Sequence, residues 1–165
     1  MLLDILQLRK NPGVKQSFEL KFEPDSKILS QRMATFEGEA SFKGVYFYHD
    51  GSVHIEGEIE ARIVFNCDKC LKPVTCLYNT PFFEVFYRES VDGGYTYEGD
   101  NLVPDRAVNE AMLLNLPSST YCRSECRGLC PVCGTDLNTE SCDCVIEPEG
   151  SGKNPFSSLE RLLDT

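Results

Sequence analysis

Tryptophan is absent from the 165 residues, and histidine occurs only twice, at His49 and His54. Two histidines flanking one turn read as surface or satisfied strand residues, not as a base or a ligand set. The phosphate loop G-x-x-x-x-G-K-[ST], the G-x-S-x-G elbow and the H-E-x-x-H helix are all missing, and with them the commonest nucleotide, acyl-transfer and metalloprotease chemistries. Basic residues are scarce as well: 16 Lys and Arg against 26 Asp and Glu leave a net charge of -10. Phosphate contacts are made by cations, so this balance excludes a whole-surface nucleic-acid binder. RNA contact would have to be local or run through a partner. Apolar runs are short, Ala111 to Leu114 being typical, far below the roughly 18 residues of a membrane helix. Met1 to Ile5 has no basic leader and carries Asp4, from which a cytoplasmic location is expected.

What is present is a chain able to bury a core, 41% hydrophobic and 10% aromatic. Aromatic and β-branched residues alternate with polar ones across the first 90 or so positions, which predicts strands. Phe18, Leu20 and Phe22 form a first alternation. Phe36 to Tyr48 is a second run, and Val53 to Phe65 a third, joined by a His49-Asp50-Gly51-Ser52 hairpin turn. Val74 to Arg88 is a fourth, interrupted by Pro81 as at an edge or bulge. Glu56, Glu58 and Glu60 share one strand face and read as a solvated stripe. Residues 89–103 turn acidic and glycine-containing and read as a loop. A helix is predicted from Asp105, a plausible cap, to Asn115 or Leu116, stopped by Pro117.

The expected fold class is α+β, mainly antiparallel β: a β domain at 1–103, a packed helix and connector at 104–121, and a cysteine-rich metal-binding tail at 122–165. The tail closes with a short helix around Asn154 to Leu163.

Nine cysteines in a cytoplasmic chain point to metal ligation or thiol chemistry, because that compartment keeps thiols reduced. Eight fall into pairs: Cys67 with Cys70, Cys122 with Cys126, Cys130 with Cys133, and Cys142 with Cys144. Cys130-Pro131-Val132-Cys133-Gly134 has the form of a zinc knuckle, whose glycine lets backbone amides turn toward the sulfurs. Zn2+ suits four soft thiolates from two short pairs separated by a loop. The most compact ligand set is Cys130, Cys133, Cys142 and Cys144, with Cys126 as a substitute for one of the last pair. The remaining pair members, Cys67, Cys70, Cys122 and Cys126, then make a second site if the tail folds back to the strand ends. Structural zinc is the expected role, since a tail with so few large apolar residues cannot build its own core. Cys76, alone in a strand, reads as a small buried hydrophobe. Lys69, Lys72, Arg123 and Arg127 cluster beside the cysteines and form the one local positive patch, a candidate RNA contact whose plainer role is to balance thiolate charge.

Taken together, C-x-x-C-x-K-P (Cys67 to Pro73), Leu116-Pro117, the run Cys122 to Gly134 containing C-x-G-L-C-P-x-C-G, Asp136-Leu137-Asn138, Cys142-Asp143-Cys144 and a closing Asn-Pro-Phe-x-x-Leu resemble the YceD family, the large ribosomal RNA subunit accumulation proteins of bacteria and plastids. The resemblance covers essentially the whole chain. It implies a non-catalytic factor for accumulation of 23S ribosomal RNA and biogenesis of the large ribosomal subunit. Ribosomal RNA precursor or basic large-subunit proteins would be its partners, with no membrane and no small-molecule substrate. Members vary in how many C-terminal cysteines they keep. The competing readings are a zinc or thiol enzyme using Cys67 and Cys70 as a redox pair, and a zinc-binding adaptor between proteins.

Overall fold

A computed structural model describes residues 1–30 and 32–145. The elements in chain order are β1 (Leu3–Asp4), α1 (Leu6–Lys10), β2 (Gln16–Phe22), a 3-10 turn (Ser26–Leu29), β3 (Ala34–Phe36), β4 (Ala40–His49), β5 (Ser52–Asn66), β6 (Pro73–Tyr87), β7 (Tyr95–Thr96), β8 (Asn101–Leu102) and α2 (Asp105–Leu114). The architecture is mostly an antiparallel sheet with one main helix. Its spine is the β5–β6 pair, in register from Val53↔Phe86 to Asn66↔Pro73. Beside it lie β4 and then β2, all antiparallel, while the short β7 adds in parallel to the end of β6.

One sheet face makes the core. Ile55, Ile59, Ile63, Phe42 and Phe82 are fully buried there, at the period of two that a half-buried strand requires. Val108 and Met112 of α2, one helical turn apart, close over it, and the Tyr78 hydroxyl donates to the Met112 carbonyl at 2.9 Å. At the centre Gly44 faces Gly57 across the β4–β5 ladder. The space is taken by the Phe42 ring, packed edge to face on Phe18 and on Phe82 at 4.7 and 4.8 Å.

Three expectations change. The Phe36–Tyr48 run is two strands: Gly38, at φ +77°, breaks it, so β3 and β4 line up end to end along the same edge of the longer β5. The acidic loop contributes to the core, because Tyr97 and Leu102 are buried and β8 pairs with β1. Its apolar side chains are too sparsely spaced to show a period. Asp105 is not a capping residue. Pro104 holds the N-cap position without a side-chain bond, and the Asp105 carboxylate instead receives the Met1 amino group at 2.9 Å. The N-terminal elements β1 and α1, with Leu3, Ile5 and Leu8 buried, had no readable signal in so short a stretch.

Pro81 sits in β6 without breaking it, because at that point the strand has only one neighbour and the missing N–H faces outward. The Glu56, Glu58 and Glu60 stripe is solvated and internally paired, by Lys15 at 3.0 Å and Lys43 at 2.8 to 3.5 Å. His54 stacks on Phe47 at 5.1 Å and lies 3.1 Å from the Ser52 hydroxyl. Cys76 is half-buried against the core. The C-terminal helix expected near Asn154 to Leu163 lies outside the described residues.

Candidate metal centres

Two tight turns of the same form present the first sulfurs. In Cys67–Leu71 the Leu71 amide donates to the Cys67 carbonyl at 2.9 Å, and the Cys67 amide to the Lys72 carbonyl at 2.8 Å. In Cys130–Gly134 the Gly134 amide donates to Cys130 and the Cys130 amide to Thr135, both at 2.8 Å. The residue after the second cysteine takes positive φ in each, +77° for Gly134 and +61° for Leu71. Leucine there is strained, since a β-carbon crowds the following carbonyl in this region, and it is 50% exposed. Leu71→Gly is therefore expected to raise stability by roughly 0.5–1 kcal/mol despite glycine's entropy, read as a shift of the chemical denaturation midpoint.

The sulfurs of Cys67, Cys70, Cys122 and Cys126 lie within 4.8 Å of one another, as do those of Cys130, Cys133, Cys142 and Cys144. Cys67 to Cys126 is 3.8 Å and Cys70 to Cys122 is 3.6 Å. Four tetrahedral thiolates about 2.3 Å from a zinc-sized ion stand about 3.8 Å apart, so the spacing fits a metal. Each group can hold a metal ion.

The two differ in what they join. The first links the β5–β6 turn to a segment more than 50 residues later, and three of its cysteines are buried, packed with Val74 and Leu129 into a small core of their own. The second is local, and only Cys130 is buried. Backbone contacts accompany the first: Asp68 and Thr120 exchange bonds of 2.9 and 2.7 Å, and Leu129 donates to the Lys69 carbonyl at 3.0 Å. Gly128, at φ +77°, passes so close that a β-carbon would stand 3.0 Å from that carbonyl.

Asn138 ties the two segments. Its amide nitrogen donates to Cys126 Sγ at 3.5 Å, while its oxygen accepts from the Arg127 amide and the Arg123 guanidinium at 2.9 and 2.7 Å. Asp136 orients it and accepts from Lys72 at 2.7 Å. That pair holds the Asp136 carboxyl down to about 2. Asp136 and Asn138 stood in the sequence as part of a motif without a role, and only the fold shows what they grip. Of the four cations, Lys72 and Arg123 are engaged in these contacts. The Lys69 ammonium lies over the Tyr121 ring at 5.1 Å, and all four are exposed.

The thiols divide by two in each group. Burial works to raise Cys67, but the amides of Cys122, Cys70 and Lys69 outweigh it and bring it down to about 6, and Cys126 is lowered too. Burial and the neighbouring sulfurs push Cys122 up to about 12, and Cys70 is raised. In the other group the Thr135 hydroxyl and amide bring Cys133 down to about 6 and amides lower Cys130, whereas Cys144 rises to about 12, chiefly through Cys133, and Cys142 rises as well. Four anionic sulfurs cannot sit this close without a cation. Metal uptake near pH 7 should therefore release protons from each site, at least those of the two raised thiols, with affinity falling as pH falls because acid protonates the ligands. Calorimetry in buffers of different ionisation enthalpy reads the number released; a release near zero would exclude thiolate ligation.

The model of the YceD family, described as large ribosomal RNA subunit accumulation protein, matches residues 55–163, the stretch carrying all eight paired cysteines. The chain belongs to the YceD family. An uncharacterized protein of Mycobacterium tuberculosis is 28% identical over 157 residues, covering 85% of this chain and 72% of that protein. One from Mycobacterium leprae is 29% identical over 105 residues, covering 58% and 45%. The chloroplastic large ribosomal RNA subunit accumulation protein YCED homolog 1 of Arabidopsis thaliana is 33% identical over 56 residues, 34% of this chain and 17% of that protein. No solved structure matches. In this YceD protein, none of the helices among the described residues is long and apolar enough to cross a membrane.

Proposed function

We propose that this protein is a non-catalytic cytoplasmic factor that supports accumulation of 23S ribosomal RNA during assembly of the large ribosomal subunit, with zinc in both four-cysteine groups. Membership of a family described by large ribosomal RNA subunit accumulation supports the reading. The site chemistry agrees with it. Four thiolates complete a tetrahedral shell and leave no open position for substrate, as a structural zinc requires and a catalytic one does not. Zinc would hold residues 122–144, a ribbon with little core of its own, against the end of the β5–β6 pair. A redox use of Cys67 and Cys70 fits poorly, because both are buried and share their cluster with two further sulfurs.

The ribbon side would face the precursor particle. Lys69, Arg127, Arg123 and Lys72 supply its cations, with Tyr121 beside Lys69. The overall charge of -10 favours a further contact with basic large-subunit proteins and speeds encounter with them. In-cell crosslinking of the tagged protein, with the bound RNA sequenced and the bound proteins identified, tests the assignment. Enrichment of 23S precursor or early large-subunit proteins over an equally acidic control is expected. Lys69→Glu with Arg127→Glu should lower the RNA yield several-fold while leaving metal content unchanged. Absence of both classes would overturn the proposal.

A further inference from the structure

The β6 edge is open along most of its length. Among the described residues β7 pairs only with Phe86 and Tyr87, so Pro73 to Val85 have β5 on one side and no strand on the other. The Tyr97 amide donates to the Tyr87 carbonyl, which fixes the phase of the strand. Residues in step with Tyr87, namely Val85, Phe83, Pro81, Asn79, Leu77 and Thr75, direct their backbone groups to the open side.

Soluble proteins guard such edges with charge, above all lysine. The stretch Pro73 to Phe83 has no charged residue at all, in a chain where a quarter of residues are charged. The opposite edge, β2, carries Glu19 and Lys21. Leu77 and Phe83 stand 75% and 68% exposed on the uncharged edge. The connector before Cys122 stands off from Leu77 and Asn79 across a groove of about 460 Å³, so the backbone there is approachable.

We propose that the β6 edge pairs antiparallel with the β6 edge of a second copy, about a two-fold axis through Thr80. That register places Leu77 opposite Phe83, Thr75 opposite Val85 and Asn79 opposite Pro81. Each exposed apolar side chain meets the other kind across the axis. Each Pro81 forfeits one N–H bond while its carbonyl still accepts. The Glu58 and Glu60 rows of the two copies would lie three strand spacings apart, about 14 Å, beyond the roughly 8 Å Debye length of physiological salt. Their repulsion is thus screened. The one carboxylate on the open stretch, Glu84, is half-buried beside Glu110 on the face opposite Leu77 and Phe83, so the exposed side chains of the edge offer a basic peptide no partner charge.

An edge of eleven residues is about 37 Å long and, at a sheet thickness of about 10 Å, has a footprint of about 370 Å² per copy. The two copies together would cover about 740 Å², below the roughly 1,200 Å² where stable specific interfaces begin, so the dimer should be of the weak, reversible kind, with a Kd on the order of tens of micromolar or higher.

Sedimentation velocity on the metal-loaded full chain from about 1 to 300 μM tests this, a range that covers a Kd on the order of tens of micromolar. A monomer-to-dimer shift is expected. Leu77→Lys and Phe83→Lys should each weaken it about tenfold or more, whereas Leu114→Lys, on exposed α2 surface, should not. Hydrogen exchange of the unmodified protein needs no variant: the amides of Thr75, Leu77, Asn79, Phe83 and Val85 should gain protection as concentration rises. A monomer throughout, or a dimer indifferent to Leu77 and Phe83, would overturn the proposal. So would edge protection independent of concentration, which would assign the edge to a segment of the same chain.

Discussion

Cys126→Ser is expected to reduce bound metal from two ions to one and to free the ribbon from the sheet. Cys126 belongs to the four sulfurs that join the β5–β6 turn to the later segment, and it also receives the Asn138 amide. Structural zinc in small peptides is worth roughly 10–16 kcal/mol of apparent binding free energy at neutral pH, and most of that is lost with one ligand. No apolar core of comparable size would replace it, since among the described residues only Val74 and Leu129 pack on these cysteines. The sheet should survive, because its core is built without them. Cys142→Ser should also cost one metal, but leave the ribbon docked through the first site. Metal stoichiometry by native mass spectrometry, with limited proteolysis between Thr120 and Leu129, separates the two. Retention of two metals by the Cys126 variant would contradict the ligand assignment.

Gly44→Ala is expected to destabilise the sheet by about 3 kcal/mol or more, the upper range for overpacking a core. A β-carbon on Gly44 would run into the Glu56 carbonyl oxygen and stand 2.6 Å from the Gly57 α-carbon. Both obstacles are backbone, so no rotamer change relieves them, and β4 must move off β5. Gly13→Ala is the useful contrast: nothing lies within 4 Å of its position, although its φ of +83° still carries strain. Denaturant melts of the metal-loaded protein measure both, and a Gly44 variant no less stable than the Gly13 variant would refute the packing argument.

The strands of the sheet were legible because β5 and β6 alternate faces over long runs. The cysteine pairs were legible because spacing within each pair is local. What brings Cys67 and Cys70 to Cys122 and Cys126 is not local. The clasp of Asp68 with Thr120 and the close pass of Gly128 over Lys69 depend on the chain returning to the strand ends, and no sequence period reports that. Tyr97 and Leu102 escaped notice for a related reason: single apolar residues in an acidic stretch become core only when β7 meets β6 and β8 meets β1. Lys72 shows the limit for the candidate RNA surface, since its partner Asp136 is 64 residues further along the chain.

The decisive measurement is the ratio of large- to small-subunit ribosomal RNA in cells whose own copy of this gene is deleted and replaced by wild type, by Cys126→Ser or by nothing. A zinc-held ribbon acting in large-subunit assembly requires the ratio to fall in the empty strain, to recover with wild type, and to stay low with a Cys126→Ser protein present at normal level. An unchanged ratio in the empty strain would contradict the assigned function, and full recovery by Cys126→Ser would show that the first metal centre is not what the function depends on.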